Sequence, residues 1–420
     1  MVQLTPDHLA FGEELLRVDV LLERFSRQIP VVAGIETVAL RHAAQRVLAE
    51  DVPAPLPLPG FANSAVDGYA VAHAMLNPDR DTVLPVIGRV AAGAAYEGPL
   101  GRRGAIRIFT GAPMPEGYDT VFMQEDVSLH GDGADVSLPS GLKQNANCRL
   151  AGEDVKQGAV ALKAGVVLGP AELSLAAALG LSHLPVRRPL KIAVFSTGNE
   201  VVEAGQPLAA GQLYDANRMM LITILERWGL SVTDLGILPD QRVAIGEALA
   251  KASRDHDLIL TSGGVSTGEE DHVKAALVDQ GRMDLWRVGI KPGRPLVVGQ
   301  LGQSLFVGLP GNPVAVFVTM TAIVRGLVAC MRGEAMTPLR HFNVRSGFNY
   351  RKKQGRREFV RVSLSQGSDG VYGASKHPQD GAGVITSLTE TDGFVILSED
   401  VTRIAAGDNV SFVSYAAILS

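Results

Sequence analysis

The chain has 420 residues, more than one hydrophobic core can organise, so two to four domains are expected. At 46% hydrophobic and 20% charged residues, it has the composition of a folded globular protein and not of a disordered one. The 39 basic side chains against 44 acidic ones, a net charge of −5, argue against nucleic acid as a main partner while leaving room for a local basic pocket.

The only cysteines, Cys148 and Cys330, make neither a disulfide framework nor a zinc knuckle and suit a reducing cytoplasm. The N-terminus MVQLTPDHLAFGEELL has no basic run followed by an apolar core, so no signal peptide is expected. The longest apolar stretch, residues 313 to 331, contains Arg325. Its uninterrupted part, 313 to 323, is too short to span a bilayer and predicts a buried helix, with no membrane as partner.

In chain order, residues 12–28 and 36–50 carry apolar side chains at helical spacing (Leu15, Val18, Leu22, then Val38, Ala43, Val47). Pro53, Pro55, Pro57 and Pro59 then force an extended passage. From 61 to 150 the apolar runs shorten, at 83–90, 105–109, 120–123 and 134–138, between glycines and prolines, which predicts a small all-β insert. Helical spacing returns at 171–179, so the segments flanking the insert are expected to form one discontinuous domain, 1–60 with 151–187. Strands at 192–195, 232–238, 258–260, 285–290 and 305–307 alternate with helices at 218–228, 243–253, 273–278 and 314–331. That alternation predicts a mostly parallel sheet with helices on both faces over 188–333. Short strands and glycine turns over 334–420 predict a final β domain. The expected whole is a multidomain α+β protein.

Ligands of open α/β sheets bind beyond the carboxyl ends of the strands. Three strands there run into polar, glycine-bearing loops. One contains Ser196, Thr197, Gly198 and Glu200; the second Ser262, Gly263, Gly264 and Asp271; the third Pro310, Gly311, Asn312 and Pro313 at the start of a helix. Glycines admit main-chain N–H groups to an anion, and the helix terminus adds a favourable dipole. One such loop alone is an ordinary capped turn; three on one sheet edge indicate an anion pocket. Glu200, Asp271 and Asp240 accompany the loops. Carboxylates beside phosphate repel it unless a cation intervenes, and hard oxygen ligands suit magnesium; capping of a first helical turn accounts equally well for the acids at 269–271. Arg287, Lys291 and Arg294 surround the rigid turn Pro292-Gly293 and would suit an oxyanion. No Ser-His-Asp or Cys-His pattern emerges, and the nine histidines are scattered.

Seven motifs occur in order: NSAVDGYA (63–70), TGAPMPEG (110–117), GEDV (152–155), STGNE (196–200), TSGGVSTGEEDHVK (261–274), KPGRP (291–295) and GLPGNPVA (308–315). Together they closely resemble the MoeA family of molybdopterin molybdenumtransferases, related to the gephyrin E domain, over roughly residues 12–415. The resemblance implies a homodimer of four-domain subunits, with a molybdopterin-binding α/β domain and a C-terminal β-barrel-like domain. Its active site lies between the α/β domain of one subunit and the β insert of the other. It implies insertion of molybdate into adenylylated molybdopterin with release of AMP and a requirement for magnesium. It also allows a molybdopterin adenylyltransferase as a docking partner.

By the same resemblance Asp67, Thr110, Asp154, Glu200, Asp240 and Asp271 fall on functional positions. Glu200, Asp240 and Asp271 would be the metal ligands, Lys291 and Arg294 the molybdate-binding pair, and Arg361 a further arginine from the last domain. Three departures stand out: Val66 for methionine, Arg294 for lysine, and Ala382 where a serine is expected. The rival readings are a non-catalytic molybdopterin-binding scaffold and an adenylyltransferase or nucleotide pyrophosphatase on the same α/β domain. The β insert and the last β domain favour the transferase over the latter. Nothing in the residues distinguishes molybdate from tungstate.

Overall fold

The computed structural model describes residues 15–98, 103–263, 272–293, 295–336 and 338–419, with the backbone alone at 282–287 and 295. The chain opens with the helix Val18–Gln28, whose buried Val18, Leu21 and Phe25 repeat at helical spacing. The expected helix over 36–50 does not form. Ile35–Ala39 is instead a strand, antiparallel to His183–Arg187, and Val47 and Leu48 make single bridges to Val167 and Val186. The β-branched Ile35, Thr37 and Val38 favour that pairing, and Gln45 at φ +62° is incompatible with a continuous helix. Val52–Pro53 pairs with Val160–Leu162. Ala43, Leu48 and Val52 share one core with Leu162, Leu168, Ala176 and Val186. Residues on either side of the insert therefore pack as one body.

The insert is a six-stranded sheet in the order Thr120–Met123, Gly68–Val71, Ala105–Ile108, Thr82–Val90, Asp135–Leu138, Ser128–His130. At Gly68 a Cβ would lie 1.8 Å from the Phe122 carbonyl oxygen, so only glycine lets these strands approach.

Beyond residue 190 lies the α/β unit. Its sheet runs Ser231–Leu238, Lys191–Thr197, Leu258–Ser262, Ser304–Leu309, Pro295–Leu301, Arg282–Arg287. The first three pairings are parallel and the last two antiparallel. The expected single strand over 285–290 is two: Arg282–Arg287 stays in this sheet, while Ile290–Lys291 leaves to pair with Arg357 and Glu358. Gly289, where a Cβ would meet the Gly355 carbonyl at 2.8 Å, marks the departure. Pro295–Leu301, which follows the expected cationic turn, is a further strand that was not anticipated.

Alternate strand residues feed two cores. Ile192, Val194, Leu258 and Leu260 pack under the helix Asn217–Arg227 and the long segment Pro313–Arg332. Ala193, Phe195 and Ile259 pack under Arg242–Asp255 and His272–Gln280. Pro313–Arg332 is long and apolar enough to cross a membrane, but 78% of its apolar window is buried inside the protein. It carries a π-helical turn at Met320–Val324 and ends on Gly333 at φ +68°, a left-handed C-terminal stop.

The last unit is a closed five-stranded barrel. Arg357–Gln366 pairs with both Tyr372–Lys376 and Gly393–Leu397, and Phe342–Ser346 and Asn409–Ser414 complete the circuit. Val344, Val360, Val362, Val395 and Phe412 fill it.

Candidate active site

The strand Lys191–Thr197 delivers Ser196 and Thr197, both buried, to the carboxyl edge of the sheet. Thr197 Oγ1 donates to Asp240 Oδ1 at 3.3 Å. Gly198 has φ +133°, and a Cβ there would lie 2.5 Å from Glu200 Oε2. The Glu200 carboxylate thus folds back over a turn that only glycine fits, and Glu200 and Asp240 flank the end of one strand. In the second loop Gly263, at φ +87°, donates its N–H to the Leu309 carbonyl at 3.1 Å, which ties that loop to the third. There Asn312 stands at the N-cap position of the helix Pro313–Thr319 without a side-chain cap bond, and Pro313 opens its first turn. The described parts of the three loops, 196–200, 262–263 and 310–313, lie at the carboxyl ends of adjacent parallel strands. Gly264, Asp271 and Arg294 lie outside the described residues, as does the Arg287 side chain.

The barrel reaches into the same place. The Ala382 carbonyl accepts from the Val314 N–H at 3.0 Å, so the position where serine was expected contributes its backbone to the helix start. Arg361, only 5% exposed, donates to the carbonyls of Gly381 and Gln379 and to Ser387 Oγ at 2.9–3.2 Å. Burial holds its pKa below the usual arginine value. Arg361 therefore braces the loop that carries Ala382.

Lys291 is held as well. Its Nζ donates to Glu358 Oε2 at 3.1 Å and to Tyr350 Oη at 3.2 Å, and Tyr350 donates to the same carboxylate at 2.8 Å. Burial works to lower the lysine pKa, but the hydrogen bonds to Tyr350 and Glu358 more than offset it, and the net shift is upward. Gly293, at φ +110°, packs the turn against the helix that starts at Pro313; a Cβ there would meet Thr319 Oγ1 at 2.6 Å.

A second cluster forms on the insert. Asp67 Oδ1 accepts from the Thr110 N–H at 2.8 Å and from Thr110 Oγ1 at 2.7 Å, so NSAVDGYA and TGAPMPEG close on each other. Those two bonds hold the Asp67 carboxyl below its ordinary pKa. Thr110→Ala keeps the backbone donor and loses the hydroxyl; the Asp67 titration followed by carboxyl carbon NMR is expected to move upward, and an unmoved midpoint would refute the pairing. The Asp154 N–H donates to the Leu58 carbonyl at 2.9 Å, leaving its carboxylate exposed at the rim. Among the described residues, no hydrogen bond or ion pair joins Asp67, Thr110 or Asp154 to the loops at 196–200, 262–263 or 310–313. The chain thus presents two clusters. Nor is any group of three His, Cys, Asp or Glu side chains placed to hold a metal ion among the described residues.

Sequence reasoning overlooked Asn217, Tyr350 and Glu358. Asp215 and Asn217 just ahead of a predicted helix are a readable helix-start signal. The Tyr350–Glu358–Lys291 contact arises from tertiary pairing and leaves no local trace.

The MoeA N-terminal region (domain I and II) matches residues 16–180, a probable molybdopterin binding domain matches 193–329, and the MoeA C-terminal region (domain IV) matches 343–415. A molybdopterin molybdenumtransferase of Haemophilus influenzae is 37% identical over 406 residues, covering 96% of this chain and 100% of its own. One from Synechococcus elongatus is 36% identical over 397 residues, covering 91% and 94%. The crystal structure of a molybdopterin biosynthesis moeA protein from Pyrococcus horikoshii is 27% identical and covers 96% of this chain and 100% of its own, with a TM-score of 0.80. With its α/β edge, its insert and its barrel all matched, the chain belongs to the MoeA family of molybdopterin molybdenumtransferases.

Proposed function

We propose that this protein inserts molybdate into adenylylated molybdopterin, forming molybdenum cofactor and releasing AMP. The observation that carries this reading is the meeting of three main-chain-rich loops at one sheet edge, tied by Gly263 to Leu309, with Glu200, Asp240 and the Lys291 turn around them. Ser196, Thr197, Gly198, Ser262, Gly263, Gly264 and the Pro310 to Pro313 turn would hold the pterin phosphate and the nucleotide. Lys291 and Arg294, with Arg287 nearby, would hold molybdate. Arg361 acts through the 379–387 loop that it braces.

A divalent metal fits the donor set. Glu200 and Asp240 are hard oxygen ligands at the end of one strand, and Asp271 belongs with them by the family motif. With no third described carboxylate gathered there, phosphate oxygens and water would complete the shell. Magnesium bound so would neutralise charge developing on the phosphoanhydride. Asp67, kept ionised by Thr110, and Asp154 make no described hydrogen bond or ion pair to the loops of their own chain; in a homodimer they would face the partner's loops and orient the attacking group. The reading includes a division into 1–60 with 151–187, 61–150, 188–333 and 334–420. It also includes a cytoplasmic location and docking of a molybdopterin adenylyltransferase.

The test is a single-turnover incubation of purified protein with adenylylated molybdopterin, magnesium and molybdate, following AMP release and reconstitution of an apo-molybdoenzyme. AMP release coupled to active cofactor is expected. Tight pterin binding without AMP would replace the transferase with a pterin-binding scaffold.

A further inference from the structure

We propose that Asn217 is a positioning residue of the pterin–nucleotide site, shaping the Pro310 to Pro313 turn and offering an acceptor to an N–H group of the bound heterocycle; this rests on the transferase reading above. Asn217 opens the helix Asn217–Arg227, and its Nδ2 donates to the Gly311 carbonyl at 2.7 Å. The anion-binding turn is thereby fixed from outside its own sequence. The Asn217 Oδ1 is enclosed and has no hydrogen-bond partner among the described residues, although buried amide oxygens nearly always have one. The Ser196 hydroxyl, 2% exposed, is orphaned in the same way.

These two groups lie on one side of the sheet. Side chains alternate along a strand, and Ile192 and Val194, which share the parity of Ser196, pack against Leu221, Ile224 and Leu225 of the helix that Asn217 begins. The next residue, Arg218, is pinned by three carboxylates, so the Asn217 backbone cannot drift. Among the described residues, an acceptor and a hydroxyl thus stand unpaired beside a fixed anion-binding turn. The missing partners are the amide and amino N–H groups that a pterin or an adenine presents.

The test compares Asn217→Ala and Asn217→Leu, the second preserving volume without polar atoms. The dissociation constant of adenylylated molybdopterin is titrated without molybdate, beside AMP as the nucleotide-only probe. Losing two neutral hydrogen bonds of about 1 kcal/mol each corresponds to roughly a tenfold or greater rise in Kd in both variants. The molybdate KM is expected to stay at the wild-type value, and the unfolding midpoint to drop slightly and equally in both variants, by the loss of the single Asn217–Gly311 hydrogen bond. A parallel loss for AMP assigns the contact to adenine; loss confined to the full substrate assigns it to the pterin. Wild-type affinity in Asn217→Leu, or a Kd that rises only in step with a falling unfolding midpoint, would overturn the proposal. Because binding is read directly, it is decided even if wild-type protein releases no AMP, the outcome that would sink the transferase reading alone.

Discussion

Arg218→Met is expected to lower the stability of the α/β unit by about 3–5 kcal/mol, the cost of removing one partner from a buried ion pair. Arg218 is 7% exposed and binds Asp215 through Nε at 2.9 Å, with Asp234 and Glu203 on its terminal nitrogens. The three contacts are unequal. Asp234 and Glu203 side chains are 44% and 51% exposed, and water would take over their charge at little cost. Asp215 is 3% exposed; without the guanidinium it keeps the Arg218 N–H at 3.1 Å and otherwise remains a buried, uncompensated carboxylate. Burial works against the arginine charge, yet its carboxylate partners raise its pKa overall, so the ion is present throughout any practical pH range. Methionine preserves the apolar stem, which confines the loss to the head group. Trp228, 5% exposed at the end of the same helix, reports unfolding by its fluorescence in urea. Adding Asp215→Asn to Arg218→Met should restore part of the loss. A double variant no more stable than the single one would show that the stranded carboxylate is not the cause.

The sheet alternation over 190–332 was legible because each strand there is a short apolar run and each helix repeats at 3.6 residues. The same rule failed at 36–50. Val38, Ala43 and Val47 match a helix by spacing, but pairing with His183–Arg187, set by residues nearly 150 positions away, decided the outcome. Pro295–Leu301 escaped for a related reason: its apolar run is short, Leu296 to Val298 before Gly299, and the antiparallel partners on both sides make it a strand. Of the candidate site, the positions of Ser196 to Glu200, Ser262, Gly263 and Pro310 to Pro313 at the strand ends were readable from the alternation of strands and helices. What was not readable is who holds them. Gly311 is fixed by Asn217, Val314 by Ala382 and Lys291 by Glu358. Each of these is a contact between distant segments.

That last contact gives the other large effect. Lys291→Met is expected to raise the molybdate KM by about 10- to 150-fold, the range for a lost hydrogen bond to a charged group of about 1.5–3 kcal/mol. The ammonium has three donors. Two are spent on Glu358 and Tyr350, and with the side chain 48% exposed the third is free for an oxyanion. Glu358, 3% exposed, lies beneath the lysine and keeps it charged. Burial alone would lower the Lys291 pKa, whereas Tyr350 and Glu358 raise it above 10.5. A pKa raised by folding means that this contribution to stability is complete below pH 10.5 and is lost only as the pH climbs through the higher folded value. At neutral pH Glu358→Gln should therefore lower stability, by about 1 kcal/mol at most because the lysine is half-exposed, while removing part of what sustains the charge. The molybdate KM, flat into the alkaline range in the wild type, should turn upward at lower pH in Glu358→Gln, and Tyr350→Phe should move the same way. If Glu358→Gln instead lowers the KM at every pH, the carboxylate competes with molybdate for the lysine, and its role is to restrain that cation until the oxyanion arrives.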